Sequence, residues 1–447
     1  MGTCFPHAIM FLSMPLLAAV RKPTLWLHPR RLFVYGLILA LGIWSVYAWL
    51  LTAPGLLDRN GLLKGTDFLH FYVLGTLANE HRGADLYNIA VQTDLAHQRV
   101  PDAGYPVYVP MYPPQVSLLF APWARLPYGW ALGGWLLSSG FLYALCCFLI
   151  WRTCPHLANH GWTVAILALA YPGFFHLLLW GQTSALALLC FALAYLALRR
   201  HQHFLAGLAI GSLIFKPPLG LAAAFVFVLA RQWNLVRGAL IAAAAQLSIG
   251  WFYYGPAVLG DYLDRMLRMR EVLPIFEPRP YQMHSLRAFW QLLFPGTTLA
   301  FGLYVVSTIW VLMLTLRFWR GPASLTVRLG VFLFATVLVA PHLTIYDLAV
   351  LAPAFLLLAD WLAERSAPPP PIVIRTLLIA YLLPLIPQAK WTHVQFSVIA
   401  MALLLWALTR MPQSCPGMDD ASRTPATPGG LSGVGGRSEQ TGIGLGR

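Results

Sequence analysis

Apolar runs long enough to cross a bilayer recur along the chain, parted by short polar connections. A spanning helix needs about 20 mostly apolar residues. Leu32 to Ala53, Gly129 to Trp151, Gly238 to Tyr254 and Thr298 to Leu316 meet or approach that length. Shorter runs follow at Leu329 to Ala340, Leu348 to Leu362, Thr376 to Ile386 and Val394 to Thr409. Trp162 to Leu198 has no Lys, Arg, Asp or Glu and is too long for one span. Its polar, turn-like Trp180-Gly181-Gln182-Thr183-Ser184 predicts a break there. Phe204 to Ala230 is interrupted by Lys216-Pro217-Pro218. Proline ends the helix before it, so this stretch predicts two short helices meeting at a corner. The pattern reads as an all-α polytopic membrane protein with about twelve membrane segments.

Composition narrows the class further. Charged residues make up 10% of the 447 and hydrophobic residues 58%, with a mean hydropathy of +0.65. A soluble domain carries roughly 25% charge, so a string of soluble domains is excluded, and so is disorder over most of the chain. The net charge of +14 is spread thinly between apolar segments and forms no basic domain, which gives no case for a nucleic-acid partner. The six cysteines include no C-x-x-C pair, so zinc and thiol-redox chemistry drop out.

Charge placement predicts orientation. With the N-terminus inside, the cytoplasmic connections and tail hold 18 basic and 5 acidic residues, and the opposite side 12 and 11. The positive-inside rule favours this arrangement, with both termini cytoplasmic. Residues 1–31, with the apolar run Phe11 to Val20 before Arg21-Lys22, read as a cytosolic or interfacial segment, and 32–410 as the membrane domain. Residues 411–447, rich in Gly, Ser, Thr and Pro, read as a disordered cytosolic tail.

The unusual polar residues then fall on one side. Two long extracytoplasmic loops, Pro54 to about Pro114 and Gly255 to about Phe294, mix charge with aromatic residues and predict short interfacial helices. Shorter turns on the same side carry Gln182, Lys216, His342, Tyr346-Asp347 and Lys390. Ionisable groups at membrane depth are costly and often functional. Asp67 follows Lys64-Gly65-Thr66 and opens an apolar, aromatic run. It, or Thr66, is a candidate helix cap. It is equally a candidate general base at the membrane surface. Lys216 either snorkels to the interface or binds phosphate as a point charge.

These residues come in a familiar order. Asp67-Phe68-x-x-Phe71-Tyr72, Leu86-Tyr87, Tyr112-Pro113-Pro114 and Gly181-Gln182 are followed by a Leu-Ala-Gly-x-x-x-Gly stretch ending at Lys216-Pro217. Then come His284-Ser285-Leu286 and Pro341-His342 with Tyr346-Asp347. Over roughly residues 33–400 the chain resembles glycosyltransferase family 87. Met283-His284 stands where that family often has Asn-Gln, and Gln115 replaces the commonest apolar residue after Tyr-Pro-Pro. Both departures bear on acceptor or sugar specificity.

The resemblance implies a GT-C fold in a bacterial inner (plasma) membrane, using a polyprenyl-phosphate sugar donor, commonly the mannose form. The acceptor would be a lipid-linked or other glycan on the extracytoplasmic side, with membrane lipids as a further partner and no nucleic acid. It maps the catalytic base onto Asp67 and leaves Tyr112, Gln182, Lys216, His284, Ser285, His342, Tyr346 and Asp347 as donor or substrate contacts. Arg265, Arg268 and Arg270 are further candidates to meet the departing phosphate. The chain has no Asp-x-Asp triplet, and a lipid phosphate carries less charge than a nucleotide diphosphate. No cofactor or obligatory metal is expected. A transporter or flippase of similar span number is the rival class; polar residues at one face rather than the midplane favour the enzyme.

Overall fold

The computed structural model describes residues 28–269, 271 and 276–411. Most of the expected N-terminal segment, nearly all of the expected tail, Arg270, Cys4 and Cys415 lie outside the described residues. Among the described residues the chain is helical, with two isolated β-bridges, Leu57 to Leu63 and Met283 to Thr344.

The long helices follow the apolar runs. Helix α1 covers Pro29–Leu51. The first long loop then folds into α2 (Thr66–Asn79), α3 (Ile89–Arg99) and α4 (Gln115–Phe120). Helix α5 (Tyr128–Trp151) is the next long apolar helix. Next come α6 (Gly161–Leu169), α7 (Pro172–Trp180), α8 (Ser184–Arg199), α9 (His203–Gly211), α10 (Leu221–Leu229) and α11 (Trp233–Tyr254). The second long loop carries α12 (Ala257–Leu267) and α13 (Leu286–Leu293). The chain closes with α14 (Thr298–Arg320), α15 (Leu325–Val339), α16 (Ala352–Glu364), α17 (Pro371–Leu382) and α18 (Phe396–Thr409).

By length and composition, five helical stretches among the described residues can cross a membrane, and the bent pair α6–α7 makes a sixth. Six more apolar helices have 10–17 residues. The long ones expose large apolar side chains: Leu137 on α5 is 77% exposed and Phe252 on α11 83%. That is the signature of a lipid-facing surface. Helix α15 is the opposite case. Every residue from Leu329 to Val339 is buried, so it forms the centre of the bundle, packed against α14, α16, α10 and α18.

The stretch Trp162 to Leu198 breaks at the expected Gly181-Gln182 turn and also a second time. Pro172 has no N–H to continue α6, and the chain bends by 47° at Tyr171. Tyr171 secures the bend through its hydroxyl, which donates to Leu348 O at 2.8 Å. At the Lys-Pro-Pro corner, α9 and α10 are joined through two short 3-10 turns, with Lys216 in a non-helical conformation between them.

The two loops are folded rather than merely laid on a surface. Helix α2, at 14 residues, is too short to span, and it is buried from Phe68 through Ala78 against α3 and α4. Helix α12 is amphipathic: Val258 and Tyr262 face inward while Leu263 and Leu267 are exposed. The Met283–Thr344 bridge and the His284 N–H bonded to Leu343 O at 3.1 Å tie the second loop to the segment before α16.

Candidate active site

Asp67 sits in the first turn of α2. The turn before it is fixed by tyrosine hydroxyls. Tyr128 donates to Lys64 O at 2.9 Å and Tyr108 to Thr66 O at 2.5 Å. Gly65 takes φ +63, and a Cβ there would meet Leu132 Cδ1 at 2.3 Å. Both the left-handed backbone and the space require glycine. Neither candidate cap acts as one: Gly65 is the N-cap residue, and the Thr66 hydroxyl donates backward to Leu63 O at 2.8 Å. The Asp67 carboxylate is thereby left for other work.

Its partner comes from the turn between α7 and α8. Gln182 Nε2 donates to Asp67 Oδ2 at 2.7 Å, while Gln182 Oε1 accepts from the Tyr112 hydroxyl at 3.4 Å and from Thr183 N at 3.3 Å. Gly181, at φ +69, packs its Cα edge against Phe68 on α2 and gives its carbonyl to Trp135 Nε1 at 2.9 Å. The turn is thus pinned to the helix that carries the acid. Burial pushes the Asp67 pKa up to about 6, against the opposing pull of Gln182, Lys216 and Arg279.

Asp67 lines a cavity of about 580 Å³. Both long loops contribute to its wall. Thr66, Asp67, His70, Tyr108 and Tyr112 come from the first, and Met266, Glu277, Arg279 and Gln282 from the second. Gln182, Lys216, His342 and Tyr346 complete the polar side. Leu62, Val107, Phe215, Leu221, Met266 and Met269 form an apolar side.

Lys216 is not a free cation. Its Nζ pairs with Asp347 Oδ1, lies 3.3 Å from Ser184 Oγ and sits 5.1 Å from the Tyr346 ring centre. Asp347 is fully buried and does not line the cavity. It accepts from Ser184 Oγ at 2.5 Å and caps the turn at Thr344. The expected point charge is therefore half of a buried, neutral pair.

A second carboxylate also reaches the cavity. Glu277 Oε1 accepts from His342 Nδ1 at 2.9 Å and pairs with Arg287, which also donates to Pro341 O. Burial drives the Glu277 carboxyl up, but His342 and Arg287 outweigh it and hold it below its ordinary value. Arg279 stands over the Trp180 ring at 5.8 Å and has no carboxylate partner among the described residues.

The structure therefore brings Asp67, Tyr112, Gln182, Lys216, His342 and Tyr346 to one cavity, with Asp347 behind Lys216. His284 and Ser285 belong to the scaffold. His284 is 2% exposed, with Nδ1 2.7 Å from Ser397 Oγ. Ser285 caps α13 by accepting from Ala288 N. Arg265 donates to Tyr87 O in a separate depression beside Asp261 and Asp264, and Arg268 pairs with exposed Asp264. Sequence reasoning passed over Glu277, Arg279 and the wall position of His70. Among the described residues, no group of three or more His, Cys, Asp or Glu side chains could hold a metal ion.

Comparison with known proteins bears on this arrangement. The family description for glycosyltransferase family 87 matches residues 111–341, just over half of the chain. No curated protein and no solved structure matches. The matched segment holds Tyr112, Gln182, Lys216, Glu277 and Arg279, and Gln182 is the residue that grips Asp67 from within it. A bundle of apolar helices, two loops closing on one cavity that carries Asp67, Lys216 and Arg279, and this match lead to the same place: the chain belongs to glycosyltransferase family 87, and its activity is that of a membrane glycosyltransferase.

Proposed function

We propose that the protein transfers a hexose, mannose first among the candidates, from a polyprenyl-phosphate donor to a lipid-linked or glycan acceptor. Transfer proceeds with inversion on the extracytoplasmic side of a bacterial inner membrane, with about twelve membrane segments in a GT-C arrangement and both termini cytoplasmic. Asp67 is the general base.

One observation carries the reading: the Asp67 carboxylate, held by Gln182 and pushed toward neutrality by burial, lines a cavity that also holds Arg279, Lys216 and His342. Inverting transfer needs one base to take the proton of the attacking hydroxyl as the new C–O bond forms. It also needs donors for the phosphate that leaves with the bonding electrons. Arg279 brings a full positive charge, and Lys216 offers hydrogen bonds from within its ion pair. Gln182 orients the base, and Tyr112 orients Gln182. The apolar wall suits a polyprenyl chain, with Leu62, Val107 and Leu221 exposed for a lipid tail to pass.

The test uses the purified protein in lipid, given polyprenyl-phosphate mannose and a membrane lipid extract. Sugar transfer that falls about 10²- to 10⁴-fold in Asp67→Asn is the expected outcome. Movement of substrate across the membrane with no covalent product, indifferent to Asp67→Asn, would overturn the proposal in favour of a transporter.

A further inference from the structure

His70 lies one helical turn beyond Asp67 on α2 and forms part of the same cavity wall. Residues three apart share a helix face. The side chain is 5% exposed, and neither ring nitrogen makes a well-formed hydrogen bond, Gln92 being the side chain that comes near enough to favour a proton on the ring. Buried polar atoms in folded proteins are nearly always paired, so two orphaned nitrogens beside a catalytic carboxylate call for a cause.

The ring's neighbours cannot supply one. Phe71, Tyr108 and Tyr112 surround it with ring centres 5.2–6.0 Å away. The Tyr108 hydroxyl is committed to Thr66 O and the Tyr112 hydroxyl to Gln182. Gln92 is the polar side chain that interacts with the ring. Its Nε2 donates to Leu86 O at 2.6 Å, which leaves its Oε1 buried and without a donor. Gln92 is also the side chain that favours a proton on His70, although burial wins and pushes the ring pKa down to about 4. The ring is therefore neutral wherever Asp67 is ionised. A neutral imidazole carries one N–H and one bare nitrogen. With the N–H turned toward Gln92 Oε1, the bare nitrogen is an acceptor.

We infer that His70 is a specificity-determining residue that accepts a hydrogen bond from a sugar hydroxyl bound beside Asp67. This rests on the glycosyl-transfer reading of the cavity and adds which chemistry the floor of the site recognises. A phosphate, which offers no proton to a bare nitrogen at neutral pH, is the wrong partner. A hydroxyl of the transferred sugar or of the acceptor sugar is the right one.

The experiment compares wild type with His70→Phe, His70→Asn and His70→Gln, each as full-length protein in lipid. The probes are polyprenyl-phosphate mannose, its monodeoxy analogues and a titrated lipid extract. In His70→Phe, kcat/KM falls about 10- to 100-fold, while thermal stability without substrate is unchanged or higher, because an orphaned polar ring has been replaced by an apolar one. His70→Asn or His70→Gln restores part of the rate. If the hydroxyl is the donor's, one monodeoxy donor loses as much with wild type and loses nothing further with His70→Phe. If it is the acceptor's, all monodeoxy donors respond alike in both proteins and the rise in KM is for the extract. A His70→Phe protein that transfers as wild type does, or that loses stability and rate together with no rescue, overturns the inference. A wild-type protein that transfers nothing overturns the glycosyl-transfer reading instead, and this inference with it.

Discussion

Gln182 Nε2 and Asp67 Oδ2 meet at 2.7 Å across 115 residues of sequence. The contact joins the start of a buried loop helix to the turn between two membrane helices. A hydrogen bond to the ionised form lowers a carboxyl pKa, and burial raises it. Burial wins at Asp67, giving about 6 against an ordinary 3.8.

The base works only when ionised, so kcat/KM falls on the acid side with a midpoint near 6. Gln182→Leu removes an interaction that favours the charged form. The acid limb therefore moves to higher pH, and the pH-independent rate drops as well. Rate profiles of the two proteins between pH 5 and 8 check this. An unmoved limb in Gln182→Leu would show that another group titrates.

The Lys216–Asp347 pair gives a stability prediction. Removing one partner strands a buried charge, which typically costs about 3–5 kcal/mol. Lys216→Met and Asp347→Leu are each expected to lower Tm strongly in detergent. The double variant recovers part of the loss, since no lone charge is left buried, while the Ser184 hydroxyl and the Thr344 N–H still lose their acceptor. Equal Tm for all four proteins would remove the pair from the list of fold determinants.

Gly65→Ala puts a methyl group 2.3 Å from Leu132 Cδ1 on a backbone at φ +63. The strain costs roughly 1–3 kcal/mol. Leu132→Ala added to it relieves the contact but not the dihedral and empties buried space of its own, so the loss in the double variant is smaller than the sum of the two single losses. Transfer falls in both, because the start of α2 sets the position of Asp67. Paired Tm and kcat/KM measurements separate the two effects.

Chelation gives the fourth prediction. With Arg279, Lys216 and His342 available to a departing lipid phosphate, transfer persists in EDTA. Activity abolished by EDTA and restored by a divalent ion would refute it.

The membrane helices were legible because the hydrophobic runs are long and the breaks carry Gly or Pro. The bend at Tyr171 has no polar signal in the sequence, because the residues around Pro172 are as apolar as any span. Asp67 and Lys216 were legible as polar residues in costly positions. The pairing of Lys216 with Asp347 was not, since 131 residues separate them and only the folded chain reveals that the charges cancel. His284-Ser285 shows a related ambiguity: a short polar motif in such a loop looks the same in sequence whether it binds substrate or, as its contacts here do, ties the loop to α13 and α18. Arg279 and Glu277 lay in a Glu-Pro-Arg-Pro stretch with no periodicity to place them.

The cavity's two halves come from either side of a boundary that sequence matching draws. Asp67 precedes the matched segment and His342, Tyr346 and Asp347 follow it, while Gln182 and Lys216 lie within. A fragment cut at residues 111 and 341 would keep the grip and lose what it grips. It would carry an unpaired buried ammonium and a glutamine facing empty space. For truncation, chimera building or transplantation of the catalytic unit, the indivisible piece runs at least from Lys64 through Asp347.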